Sequence, residues 1–148
     1  MSTTPKLVYF GLRGRGDVIR MALEQSDSEW TEEGIDYAVM KQGGPNFPFA
    51  QAPCLEHNGM VISQTDAILR YIGREWGLYG ETNVESTQID MLLLGVESMR
   101  GEYLKVCYGA SFSEEAKKAY TATHVEAAGL SLRNNGAHFQ YLEDVLGE

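Results

Sequence analysis

The chain has 148 residues, 43% of them hydrophobic and 22% charged, which fits one domain, or one small domain plus part of another, with a real core. Lys and Arg number 12 against 21 Asp and Glu, and the net charge of −9 excludes a broad electrostatic footprint for nucleic acid or an anionic membrane, so any anionic ligand must be captured locally. The opening MSTTPK lacks the basic-then-apolar order of a secretory leader, and the apolar runs are too short to span a bilayer, which together predict a cytoplasmic protein.

In chain order, residues 6–10 (KLVYF) read as a short apolar strand. The turn that follows carries Gly11, Gly14 and Gly16, and beyond it Val18, Ile19, Met21, Ala22 and Leu23 predict one helical stripe. Glycines spaced three and two apart do not make the G-x-G-x-x-G order of a dinucleotide loop, and no G-K-[ST] follows. Asp17, in the first helical turn, would occupy the positive helix end that a phosphate needs. The turn therefore reads as a tight strand-to-helix reversal with a local charge set of Arg13, Arg15 and Asp17. It exposes Tyr9 at the carboxyl edge of the strand, where open α/β sheets place ligands. From composition alone a strand tyrosine is more often a core residue.

Residues 28–35 are extended and polar enough for an edge strand. Residues 41–52, with Gly43, Gly44, Pro45 and Pro48, predict irregular loop with at most one helical turn. In CLEH-NG-MVIS, Asn58-Gly59 separates two four-residue runs as a type I′ hairpin turn would. Ser63-Gln-Thr-Asp66 then sets a hydroxyl three residues ahead of a carboxylate at a helix start, with Ala67, Ile68, Tyr71, Ile72 and Trp76 as the apolar face and Gly77 as the end. One parallel crossover joined to an antiparallel pair makes a small α/β layer over residues 5–78, its helices covering the sheet.

After a link at residues 78–82 the pattern is helical alone. Ile89, Leu92, Leu93, Val96, Met99 and Tyr103 recur at three and four, and Tyr120, Leu130, Phe139, Leu142 and Leu146 mark a second, less regular stretch. Cys54 and Cys107 lie far apart with no CxxC and no nearby histidine set, and His57, His124 and His138 are equally scattered. Neither a metal site nor a disulfide framework is indicated, and both cysteines are expected to be buried small hydrophobes.

KLVYFGLRGRGDVIR, PFAQAPCLEHNG and QTDAILRYIGREWGLYG stand in the order and spacing of the cytosolic glutathione transferases, and the chain resembles most the alpha, mu and sigma classes that use a tyrosine. The resemblance covers residues 6–105. It implies a thioredoxin-like glutathione-binding domain at residues 5–80, an all-helical domain at residues 83–148, and a homodimer. It further implies a transferase that conjugates or isomerises small hydrophobic electrophiles, with glutathione as co-substrate and no metal.

Position by position, the resemblance makes Tyr9 the catalytic tyrosine, a hydrogen-bond donor to the glutathione sulfur, and Arg15 a basic residue beside the thiolate, where positive charge favours ionisation. Ala52-Pro53 matches a cis-proline junction whose preceding backbone pairs with the cysteinyl unit as a strand edge pairs with a peptide. Gln64 and Thr65 match the pair that holds the γ-glutamyl end, and Gln51 matches a residue near the glycyl carboxylate. Where several classes grip that carboxylate with Trp, Lys or Arg, this chain has Met40-Lys41-Gln42-Gly43-Gly44, with Lys41 as the substitute. Glu97 lies near the position from which a neighbouring subunit's acid reaches the glutathione amine; a solvated helix face explains it equally well. The electrophile pocket would be lined by Phe10, Gly11 and Leu12 and by Tyr103, Cys107 and Tyr108.

In the family, the helix matching residues 139–146 is followed by a glycine-aspartate turn and further helices, so the second domain is expected to be a shortened one. An alternative then stands beside the enzyme: a non-catalytic glutathione-fold module, for binding or structure, that has lost the electrophile pocket, as in lens crystallins or translation factors.

Overall fold

The computed structural model describes residues 3–126 and 138–147. The chain divides into two compact units, Met1–Thr82 and Asn83–Glu148. In the first, β1 (Lys6–Val8), α1 (Arg15–Gln25), β2 (Thr31–Glu33), α2 (Tyr37–Gln42), β3 (Cys54–His57), β4 (Met60–Ser63) and α3 (Thr65–Glu75) follow one another. The sheet order is β2-β1-β3-β4; β1 runs parallel to β2 and antiparallel to β3, and β3 antiparallel to β4. This is the crossover plus hairpin that the order of elements demanded. At the hairpin tip Asn58 and Gly59 have φ of 50° and 76°, the two positive values a type I′ turn needs.

Alternation along the strands splits the core in two. Leu7, Tyr9 and Leu55 face Ile19 and Leu23 of α1 and Ile68 and Ile72 of α3, while Val8 and Cys54 face Met40 of α2 and Phe47. Leu7, Ile19, Leu23, Leu55, Ile68 and Ile72 are wholly buried, and burial of such a side chain is worth about 1.5–3 kcal/mol each. Met21, counted in the α1 stripe, is instead 69% exposed. It stands two residues, about 200° around the helix, from both Ile19 and Leu23.

Other boundaries shift for local reasons. β1 stops at Val8, because the Phe10 carbonyl is taken by the Leu12 N–H at 2.7 Å, so the chain is already turning. The 28–35 stretch shrinks to β2: the Ser26 hydroxyl holds Ser28 at 2.8 Å, and Asp36 starts a helix. That helix, α2, begins ahead of the expected loop and was not anticipated; the Asp36 carboxylate caps it by accepting the Ala38 and Val39 N–H groups at 2.7 and 3.1 Å. The capping box at Ser63 does not form. Ser63 ends β4 with its hydroxyl 3.3 Å from the Cys54 sulfur, and Gln64 precedes α3 without a side-chain cap.

In the second unit, α4 (Asn83–Leu104) passes into a π-helical turn at Lys105–Gly109, α5 (Glu114–Tyr120) into another at Thr121–Val125, and α6 (His138–Leu146) closes the described chain. Leu130 lies outside the described residues. The α4 stripe is only half-buried at Ile89, Leu92, Leu93 and Met99, and Val96 and Tyr103 are exposed. A groove of about 600 Å³ runs beside Met91, Leu92, Gly95, Tyr141, Leu142 and Val145. Tyr103 packs edge-on against Phe112 and Tyr120, and Val106 and His124 are buried. Cys107, expected in the core, is only half-buried; it sits in the π-helical turn beside Tyr103, whose phenol it pushes up. Cys54 is buried as expected, and burial pushes its thiol up. No helix among the described residues is long and apolar enough to cross a membrane.

Candidate functional site

Strand register assembles the site. Val8 pairs with Cys54 and Cys54 with Ser63, so one rung crosses β1, β3 and β4. One step beyond that rung, at the same end of the sheet, stand Tyr9, Pro53 and Gln64. Residues 55 positions apart in sequence are thus brought to one edge by three short strands.

Tyr9 is anchored by its own N–H, which donates to the Glu33 carbonyl at 3.1 Å, and it is 7% exposed. The ring belongs to the core cluster, as composition alone suggested, and the hydroxyl lies at the glycine turn beside the Arg15 N–H. A Cβ at Gly16 would collide with the ring, and one at Gly14 would come within 2.7 Å of the phenolic oxygen. Gly14 and Gly16 leave room for the tyrosine they wrap, whereas a Cβ at Gly11 would meet nothing within 4 Å. The role of the turn is to seat that side chain, which the spacing of the glycines alone did not reveal. The phenolic oxygen accepts the Arg15 N–H at 3.1 Å. That bond uses an oxygen lone pair and leaves the phenolic proton to be donated elsewhere.

Asp17 holds the turn from within, its carboxylate accepting the Gly14 N–H at 3.1 Å. That bond first, and the Arg20 guanidinium second, keep its carboxyl below the usual range. A negative charge here opposes phosphate at this helix start, in line with the reading of the motif.

The Ala52–Pro53 peptide is cis, with Pro53 buried and Ala52 half-buried. Gln64 has φ 73° and ψ 119°, a conformation that a residue with a side chain rarely adopts. Its side-chain amide donates to the Gln51 side-chain oxygen at 3.4 Å, so these two candidate residues are brought together. Thr65 is 8% exposed and opens α3, whose first N–H groups have no intrahelical acceptor. Amides at a helix start with no side-chain cap suit a carboxylate.

Lys41 is exposed near the end of α2, its ammonium 5.5 Å from the centre of the Tyr37 ring. Phe10 is half-buried and Gly11 and Leu12 are exposed in the first unit. Tyr103, Cys107 and Tyr108 belong to the second, where Tyr108 is 82% exposed; Glu97 is half-buried on α4. Among the described residues, no cluster of three or more His, Cys, Asp or Glu is placed to hold a metal ion.

Residues 5–74 match the family model for the N-terminal domain of glutathione S-transferases. Glutathione S-transferase 2 from Onchocerca volvulus is 35% identical over 113 residues, 74% of this chain and 53% of that protein. A glutathione S-transferase from Dirofilaria immitis is 31% identical over 141 residues, 90% of this chain and 66% of that protein. Among solved structures, the glutathione S-transferase from Ascaris lumbricoides superposes with a TM-score of 0.74 at 28% identity, over 98% of this chain and 68% of that one. The chain thus spans about half to two-thirds of the length of these curated relatives.

Proposed function

The chain belongs to the glutathione S-transferase family, with a thioredoxin-like first unit and a helical second one, and from that premise we propose that it conjugates glutathione to small hydrophobic electrophiles, with the Tyr9 hydroxyl stabilising the thiolate. A free thiol has a pKa of about 8.5, so at neutral pH only a minor fraction is the nucleophilic thiolate. A charge-assisted hydrogen bond worth about 1.5–3 kcal/mol lowers that pKa by roughly one to two units. Tyr9 supplies that bond as a donor and stays protonated, so no general base is required.

The other residues bind. The Ala52 backbone pairs with the tripeptide as a sheet edge does; the Gln64 amide, the Thr65 hydroxyl and the α3 N-terminus take the γ-glutamyl carboxylate; Gln51 and Lys41 serve the glycyl end. Arg15 adds positive charge near the sulfur. In the first unit, Phe10, Gly11 and Leu12 serve the electrophile side. A homodimer working in the cytoplasm on reactive electrophiles, that is, in detoxification, completes the proposal.

The observation that carries this reading is the Arg15 N–H donated to the Tyr9 hydroxyl, which fixes the phenolic oxygen and frees its proton at the sheet end shared with Pro53 and Gln64. The test combines retention on immobilised glutathione with conjugation of a general aromatic electrophile, for the wild type and Tyr9→Phe. Retention with turnover that collapses in Tyr9→Phe is expected. Turnover that survives the substitution overturns the role of Tyr9, retention without turnover leaves only a binding module, and no retention overturns the whole reading.

A further inference from the structure

Arg20 sits on α1, one turn beyond Asp17, and was not singled out by any motif. All five of its guanidinium N–H donors are engaged. Nε and Nη2 grip the Glu32 carboxylate of β2 at 2.9 and 2.5 Å. Nη1 donates to Asp17 at 2.6 Å and to the Leu12 carbonyl at 3.4 Å, and Nη2 donates also to the Phe10 carbonyl at 3.2 Å. The guanidinium carbon lies 5.6 Å from the centre of the Tyr9 ring.

One side chain therefore fastens three things around Tyr9: the edge strand through Glu32, the turn through two carbonyls, and the first turn of α1 through Asp17. Asp17 in turn holds the Gly14 N–H, and the next amide along, that of Arg15, is the one that donates to the Tyr9 hydroxyl. The chain of contacts from guanidinium to phenolic oxygen is continuous. A lysine could not replace it, because an ammonium is a point charge with three donors and no planar fork.

We propose that Arg20 is a positioning residue for the thiolate-stabilising hydroxyl: its hydrogen bonds to the Phe10 and Leu12 carbonyls, and to Asp17, which holds Gly14, fix the 10–15 turn, and the turn fixes where the Tyr9 hydroxyl points. The inference rests on the reading of Tyr9 given above. It separates two quantities. Glutathione binding draws on Gln51, Ala52, Gln64 and Thr65, none of which Arg20 touches, so affinity persists when the guanidinium is lost. Ionisation of the bound thiol depends on the direction of the phenolic O–H, so that is what changes.

The experiment measures the pKa of the bound glutathione thiol, by thiolate absorbance against pH, together with kcat and the KM for glutathione, in the wild type, Tyr9→Phe, Arg20→Lys and Glu32→Gln. In Arg20→Lys the thiol pKa is expected to rise towards that of Tyr9→Phe, with kcat at neutral pH falling about tenfold and KM changing less than about twofold, as expected of a mis-set catalytic group. Glu32→Gln, which keeps its shape and loses one anchor, moves the same way by less, and decides the matter if Arg20→Lys does not fold.

A purely structural Arg20 would lower the melting temperature and leave the thiol pKa of the folded protein at the wild-type value; that result overturns the inference and leaves the Tyr9 reading standing. If Tyr9→Phe itself leaves the thiol pKa unchanged, the reading beneath it fails and the inference falls with it.

Discussion

Gly16, the second residue of α1, lies so close to the ring of Tyr9 that the first carbon of any side chain there would overlap the phenol. On helix propensity alone, Gly16→Ala would stabilise by up to about 1 kcal/mol. Collision with a ring that is 7% exposed works the other way, and overpacking a core costs about 1–3 kcal/mol. The collision is the larger effect, so Gly16→Ala is expected to lower stability by about 1 kcal/mol in urea unfolding. It also displaces the hydroxyl, so conjugation falls while retention on glutathione survives. A variant as stable and as active as the wild type would mean that the ring has room to move.

Gln64 offers the opposite trade. Its φ of 73° with ψ of 119° is a conformation that costs a residue with a side chain on the order of 1–3 kcal/mol. Gln64→Gly relieves that strain and gives back about 0.5–1 kcal/mol through the freer unfolded chain. The folded protein is thus expected to be unchanged or up to about 2 kcal/mol more stable, while the lost side-chain amide weakens retention on glutathione about tenfold. Equal affinity in calorimetric titration would remove Gln64 from the binding residues.

Much of the first unit was legible because its signals are local and obligatory. Asn58-Gly59 admits the two positive φ values that a tight hairpin needs, and the repeat of Ile68 and Ile72 leaves one face for α3. Tyr9, Pro53 and Gln64 were each named from motifs; that they meet follows from register, which pairs Val8 with Cys54 and Cys54 with Ser63. What stayed hidden depends on three-dimensional contact. Nothing in the glycine spacing says that Gly16 seats a ring, and the only trace of the Arg20 clamp is its position three residues after Asp17 on a helix. The six-residue helix α2 is masked in the sequence by the glycine-proline run beside it, although Asp36 ahead of it is a strong cap signal. In α4 the apolar repeat was clear, yet none of its residues is fully buried.

The charges around Arg20 set an acid limit to stability. Glu32 is held below its usual value first by its hydrogen bond to Arg20, and Asp17 first by the Gly14 N–H and then by Arg20. A carboxyl depressed in the folded state contributes stability that is fully present above its unfolded pKa of about 4 and is lost as pH falls through the folded value. Unfolding free energy is therefore expected to be level from neutral down to about pH 5 and to decline below it. Glu32→Gln removes one of these carboxyls, so its curve should start lower at neutral pH and fall less steeply in acid. Two parallel curves would show that Glu32 is not linked to folding.

The α1 face can be tested by two substitutions on one helix. Leu23 is 0% exposed against the sheet, while Met21, two residues earlier, is 69% exposed. Leu23→Ala removes buried methyl groups and leaves a cavity, which costs about 2–5 kcal/mol. Met21→Ala removes side-chain atoms that are mostly in water already, on a helix where alanine is at least as favourable, so its effect should lie within about 0.5 kcal/mol. Both also alter the helix that carries Asp17 and Arg20, but only Leu23→Ala loosens its seat on the sheet. Chemical denaturation of the two variants should therefore separate them by at least about 1.5 kcal/mol. Near-equal losses would mean that α1 is rotated about its axis relative to the face described, and with it the Arg20 contacts to Phe10, Leu12 and Glu32.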